Sequence, residues 1–263
     1  TYGIGSVVPI LVQFNEVVVV TGTPTIELET GTSDATVSYT SGSGTDTLTF
    51  NYTVANTHVA ADLDYKATTS LALPGGATIR DSLGTNATLT LASPGATKSI
   101  ADNQAIVIDG VRPSVSSTAA TAGTKIITIT TSEAVSGTPD ATDFSVLVNS
   151  SANVVTAVGV GAAKSADNTA TTIELTVTDV IPNSATVTWT YAQSSSGSSK
   201  YINGVAAGAN AANALVSVTS NQSVTVTDDV SAPVVSGVTS SSSNATYGIG
   251  SVVPILVQFN EVV

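Results

Sequence analysis

The stretch Thr47–Val54 reads TLTFNYTV, with Leu48, Phe50, Tyr52 and Val54 alternating with Thr47, Thr49, Asn51 and Thr53. Successive side chains of an extended strand point to opposite faces, so a period of two predicts a half-buried strand, apolar inside and threonine-rich outside. The pattern recurs further on. Ile173, Leu175 and Val177 alternate with Glu174, Thr176 and Thr178; Ala185, Val187, Trp189 and Tyr191 alternate with Thr186, Thr188 and Thr190. Clusters with turn chemistry separate such runs: Ser41–Gly44 (SGSG), Pro74–Gly76 (PGG), Ser194–Gly197 (SSSG) and the Gly3-Ile4-Gly5 turn. Helical periodicity is absent, and Val205–Leu215 amounts to one short helical turn at most. The predicted fold class is all-β, with many short antiparallel strands arranged as sandwiches.

Composition agrees with that reading. Of the 263 residues 42% are apolar but only 10% charged, against a usual charged share of about 25%. Ser, Thr and Asn must therefore supply most of the polar surface, and these residues favour strands and turns. Nineteen acidic residues against seven basic ones give a formal net charge of −12. That charge repels phosphate backbones and anionic lipid, which argues against nucleic-acid or membrane-surface partners. Cysteine and methionine are both absent. There is consequently no disulfide framework, no thiolate chemistry and no easily oxidised sulfur, as suits a protein exposed outside a cell. The apolar run Val17–Val20 is far too short to span a bilayer, so no membrane insertion is expected of this segment. With neither an initiator Met nor a signal peptide, the chain reads as an internal piece of a mature protein.

Longer-range order comes from repetition. Thr1–Val18 reads TYGIGSVVPILVQFNEVV, and Thr246–Val263 repeats it without a change, a spacing of 245 residues. A period this long marks an array of whole domains rather than a solenoid. A fainter repeat lies within: Asp109-Gly-Val-Arg-Pro113-Ser-Val-Ser and Asp229-Val-Ser-Ala-Pro233-Val-Val-Ser share D-x-x-x-P-x-V-S at a spacing of 120 residues. Each repeat carries a strand-like segment with a glutamate, ILVQFNEVV with Glu16 (duplicated at Glu261) and ITITTSEAV with Glu133. The expected organisation is two tandem domains per 245-residue unit. Residues 1–110 form a first domain lacking its first strand, 111–230 a second, and 231–263 the first strands of the next copy. Two accounts of that frame stay open: the chain is a window on a continuous array, or the tail completes the sheet of the next molecule.

These residues resemble the bacterial immunoglobulin-like repeats of giant cell-surface and adhesin proteins. The first half carries the likeness in YGIGSVVPILVQFNE, TGTPTIELETG and IRDSLGTNATL; the second, from Arg112 to Asp229, looks like the SwmB-type repeat in TSEAVSGTP, ATDFSV and GVAAGANAANALVSVTSNQSV. The resemblance implies immunoglobulin-like sandwiches and a structural, non-enzymatic role at the cell surface: a fibre, sheath, surface layer or stalk. The alternative it implies is a spacer repeat of a giant calcium-dependent adhesin. Its implied partners are neighbouring copies of the same repeat, by lateral or head-to-tail assembly.

By the same resemblance, calcium is the implied cofactor, clamped between linker and neighbouring domain. Calcium takes six to eight oxygen ligands. The candidates are Asp109 from one linker, Asp228 and Asp229 from the other, and Glu133, Glu16 and Glu261 from the strands that follow. Asp62 and Asp64, two apart in ADLDY, add a candidate pair, and Asp81 in DSLGTN is expected to close a loop. Pro113 and Pro233 fix φ and stiffen the crossings. Catalytic patterns are weak. His58 is the only histidine and is expected on an exposed loop, and Trp189 with Tyr191 reads as sandwich core rather than a sugar platform. No phosphate loop or zinc pattern occurs.

Overall fold

A computed structural model describes residues 1–160, 171–193, 200–205 and 211–260. The expectation placed on Ser194–Gly197 and the candidate ligand Glu261 lie outside them.

The first part of the chain forms β1 (Tyr2–Gly3), β2 (Val7–Thr21), β3 (Thr25–Glu29), β4 (Ala35–Ser41), β5 (Thr45–Thr53), β6 (Val59–Ala60), β7 (Asp64–Tyr65), β8 (Leu71–Ala72) and β9 (Thr78–Arg80). A single helical turn, α1 (Ile100–Asn103), and β10 (Ile108–Asp109) follow. The main sheet runs β7-β3-β4-β5-β2-β9, with β8 also on β3. β2 organises it. Its first half pairs with β5 from Val7–Thr53 to Gln13–Thr47; after an irregularity its second half pairs with β9 through Val19–Arg80 to Thr21–Thr78. One strand thus serves two faces, and the sheet folds over its own core. Val8 and Ile10 of β2 meet Leu48, Phe50 and Tyr52 of β5 there, with Ile26, Leu28 and Ile79 opposite. All four apolar residues of the Thr47–Val54 pattern are buried, which at about 1.5–3 kcal/mol for each large side chain makes this strand the centre of the core.

The second part comprises β11 (Val115–Thr121), β12 (Ile126–Thr131), β13 (Val135–Ser136), β14 (Phe144–Val148), β15 (Ser151–Ala152), β16 (Val155–Val160), β17 (Thr172–Val177), β18 (Val187–Tyr191), β19 (Asn203–Gly204) and β20 (Val218–Thr227). Their order is β15-β14-β18-β20-β11-β12-β17-β16, with β13 and β19 as a separate pair. β20 is the hinge of this arrangement. It runs antiparallel to β18 up to Val224, then parallel to β11 from Thr225 to Thr227. The three strands on one side of it and the four on the other form two layers. Ile127, Ile129, Ile173 and Leu175 from one pack against Phe144, Val146, Val187, Trp189 and Tyr191 from the other. Trp189, 1% exposed, is a core residue as its alternation predicts.

The protein is therefore all-β with sandwich-like packing, and its two hydrophobic clusters have no buried residue in common. Two features depart from the sequence reading. β11–β20 and β1–β10 are parallel pairs, formed by segments far apart in the chain rather than by hairpins. α1 forms because Ser99, itself buried, caps it by accepting from the Asp102 amide at 3.2 Å. Within Val205–Leu215, the described portion forms a short 3-10 turn at Ala211–Asn213.

The tail forms a hairpin of β21 (Val235–Thr239) and β22 (Leu256–Phe259), antiparallel, with every residue of β22 exposed.

Candidate functional site

Chemistry-bearing residues gather where the two parts of the chain meet. β10 lies between β1 and β6, so Asp109 sits at the end of a small three-stranded sheet. Next to it, Gly110 donates to His58 O at 2.7 Å and accepts from the Thr57 amide at 2.8 Å. A Cβ at position 110 would lie 2.3 Å from Ala55 O and 2.6 Å from His58 O, so only glycine lets the linker lie flush against that turn. Two residues on, Arg112 Nε donates to Ala212 O at 2.6 Å, and Pro113 is buried. From the other side Asn213, fully buried, accepts from the Ile4 amide at 2.6 Å and holds the Gly3–Gly5 turn.

Glu133 completes the junction. Its carboxylate lies over Gly204, where a Cβ would come within 2.5 Å of Oε2. Oε1 is buried and has no hydrogen-bond partner among the described residues. Burial first, and the nearby Asp109 charge second, push the Glu133 carboxyl up to about 7. Burial of an unpartnered carboxylate oxygen, with the Asp109 charge adding to it, favours the protonated form. Of the acidic candidates, Asp109 and Glu133 are the two whose charges the structure couples at this junction. Among the described residues no three acidic or histidine side chains gather as metal ligands.

The other candidates occupy different places. Asp228 is exposed and accepts from the Ser184 amide at 2.6 Å and its hydroxyl at 3.1 Å. Asp229 receives the Ser231 amide at 2.9 Å, and its own amide donates to Asn183 Oδ1 at 2.8 Å. These two aspartates fasten the second linker to the 183–184 turn. Glu16 is exposed on β2 and lines a shallow cleft with Asp81 and Asn86. Asp81 closes its loop by accepting from Leu83 and Thr85 amides at 2.9 and 2.7 Å; the Thr85 donor chiefly holds its carboxyl below the usual range.

Asp62 and Asp64 serve different loops. Asp62 is exposed and accepts from the Ile106 amide at 3.2 Å. Asp64 is buried and accepts from the amides of Tyr65 and Gly95, both at 2.9 Å, and of Ile100 at 3.2 Å. It pins the segment preceding α1 to the sheet. His58 is half-buried rather than on an exposed loop. Its ring stacks on Tyr52 at 5.8 Å and its Nδ1 lies 2.9 Å from the Tyr52 hydroxyl, whose pKa burial raises to about 12. Sequence reasoning missed Asn213 and Asn203, both buried beside this junction, because an Ala- and Asn-rich stretch carries no periodic signal.

No protein-family model, curated protein or solved structure matches this chain.

Proposed function

We propose that this chain is a structural repeat of an extracellular fibre, sheath, surface layer or stalk, two immunoglobulin-like sandwiches to each 245-residue unit, whose copies run end to end as a semi-rigid rod. The observation that carries this reading is the unchanged recurrence of Thr1–Val18 at Thr246–Val263. Eighteen identical residues at the spacing of whole domains are the mark of a tandem array, and an array of all-β units serves length and strength. Backbone ladders and the two separate cores would carry load within each unit. The Gly110, Arg112 and Asn213 contacts would carry it across the first junction. Immunogold labelling of intact source cells with antibody to this unit tests the proposal. Label at regular spacing along filaments or a surface array is expected, and label confined to the cell interior overturns it. Label on a stalk beneath a distinct tip returns the adhesin-spacer reading.

We further propose that the junction binds calcium through Asp109 and Glu133, the remaining oxygens coming from backbone carbonyls and water. The unpartnered Glu133 Oε1 supports this. A cation there would cancel the repulsion between the two carboxylates and tie the linker to the second sandwich. Thermal melting with calcium and with chelator provides the check. A higher midpoint in calcium is expected, reduced by Glu133→Gln; an unchanged midpoint sinks the calcium proposal.

A further inference from the structure

The edge of β2 opposite β5 is open. β9 covers only Val19–Thr21, and among the described residues no strand pairs with Pro9–Phe14 on that side. A groove of about 620 Å³ runs along this edge, walled by Ile10 and Val12 on one side and by Leu91, Ile100 and Ile106 on the other. An open strand edge above a groove with apolar side chains on both walls is a template for strand addition.

The chain itself shows what fits. Leu256–Phe259 of β22 repeats the LVQF of Leu11–Phe14, and there it is paired with β21. Val235 faces Phe259, then after a bulge Gly237 faces Gln258, Val238 faces Val257 and Thr239 faces Leu256. The second sandwich contains the same device built in. β11 pairs with β12 with its bulge between Val115 and Ser117, 120 residues before the bulge between Val235 and Gly237. There β12 has β11 on one edge and β17 on the other, and Thr118, the counterpart of Val238, is buried. In the tail, by contrast, Val234, Val235 and Val238 remain 61%, 52% and 64% exposed. A lone two-stranded hairpin is marginal in water.

We infer that β21 of a second copy of this unit adds antiparallel to the open edge of β2. The register places Val235 against Phe14, Gly237 against Gln13, Val238 against Val12 and Thr239 against Leu11. The donor exchanges its exposed LVQF partner for an identical sequence set beside an apolar groove, so the ladder is conserved and apolar burial is gained. This inference rests on the rod reading and names the contact that joins one unit to the next.

The absence of cysteine makes the test direct. Chains carrying Val12→Cys are mixed with chains carrying Val238→Cys and oxidised gently. A second mixture pairs Val238→Cys with Leu11→Cys, one residue out of register and on the opposite face. Covalent heterodimers in the first mixture are expected to exceed those in the second about tenfold, since a one-residue slip reverses the faces. A synthetic peptide of residues 232–240 is expected to compete, and the same peptide with Val238→Lys is not. Val238 lies in neither core, so its variants leave both sandwiches intact, and peptide binding to the otherwise unaltered chain checks the groove without any change at Val12. Equal yields in the two mixtures, or no competition by the peptide, overturn the inference. Regular immunogold spacing would survive that failure, so docking and the rod reading fall separately.

Discussion

Two linkers share the pattern D-x-x-x-P-x-V-S and are built differently. In the first, Gly110 and Pro113 are buried, and Arg112 reaches Ala212 O in the part of the chain that follows. In the second, the equivalent positions hold Val230, Ala232 and Pro233, all exposed, with Val230 at 93%. Both linkers start from a tether to the preceding sheet: Gly110 to the 55–58 turn, Asp228 and Asp229 to the 183–184 turn. Both are also bonded to the strand that follows, Ser114 to Ser132 and Val234 to Asn260, and among the described residues the first adds the Arg112–Ala212 contact. The shared pattern therefore goes with backbone tethers on both sides, and the residues inside it decide how closely the linker lies against its surroundings.

The sharpest way to break the comparison is to write the second linker into the first. In Gly110→Val, side-chain atoms must enter a space already occupied by Ala55 O and His58 O, at 2.3 and 2.6 Å from the Cβ position. Backbone carbonyls cannot swing aside as a side-chain end can. The linker must lift off, with loss of the two hydrogen bonds between Gly110 and the 57–58 backbone. A cost of about 2–3 kcal/mol is expected, measured as a fall in the urea midpoint at unchanged slope. A variant as stable as the parent would mean that the flush packing of Gly110 does not hold the junction.

Much of this architecture is legible in the sequence, and the reason is physical. Alternation in Thr47–Val54 and in Ala185–Tyr191 reports a face, and the faces it names are buried as read. Repetition reports equivalent segments, and the hairpins that follow the two D-x-x-x-P-x-V-S stretches carry their bulges at matching positions. Contacts between distant segments are less visible. Asp64 stands beside Asp62 in ADLDY, yet its role comes from Gly95 and Ile100, more than thirty residues away. The passage of β20 from β18 to β11 depends on three-dimensional closure, and no local pattern in Val218–Thr227 marks it. Asp109 and Glu133 were legible as acidic residues near a junction. That Glu133 would be left with a buried, unpartnered oxygen depends on Gly204 beneath it, seventy-one positions on.

A smaller effect sharpens the electrostatic half of the comparison. With no metal bound, the folded Glu133 carboxyl titrates near 7, raised from an ordinary value of 4.5. A raised folded pKa means that the folded state holds its proton more tightly than the unfolded chain. The associated stability is complete below about pH 4.5 and is lost as pH rises through about 7. The carboxylate is partly solvated, so the loss is expected to be about 1 kcal/mol after allowance for screening. Glu133→Gln imitates the protonated form and should flatten this decline in chelator. Urea midpoints at about pH 5 and about pH 8 measure it. In calcium the order should reverse, because an amide oxygen is the weaker ligand. A parent protein with no decline between those pH values would mean that Glu133 is not repelled as its surroundings imply.

The smallest expected effect is the most pointed, because it is the reciprocal change. Val230→Gly gives the second linker the glycine of the first. If glycine alone made a junction tight, this variant would gain the clasp and become more stable. The geometry argues otherwise. Gly110 matters because the carbonyls of Ala55 and His58 stand directly against it. Val230, at 93% exposure, faces no comparable surface. Removing its side chain uncovers no contact, and the tethers at Asp228 and Asp229 stay in place. The expected change is therefore within about 0.5 kcal/mol, as for other surface substitutions remote from a packed feature. A clear gain in the same urea titration would show that the second linker has its own clasp waiting, and that residue 230 is what keeps it open.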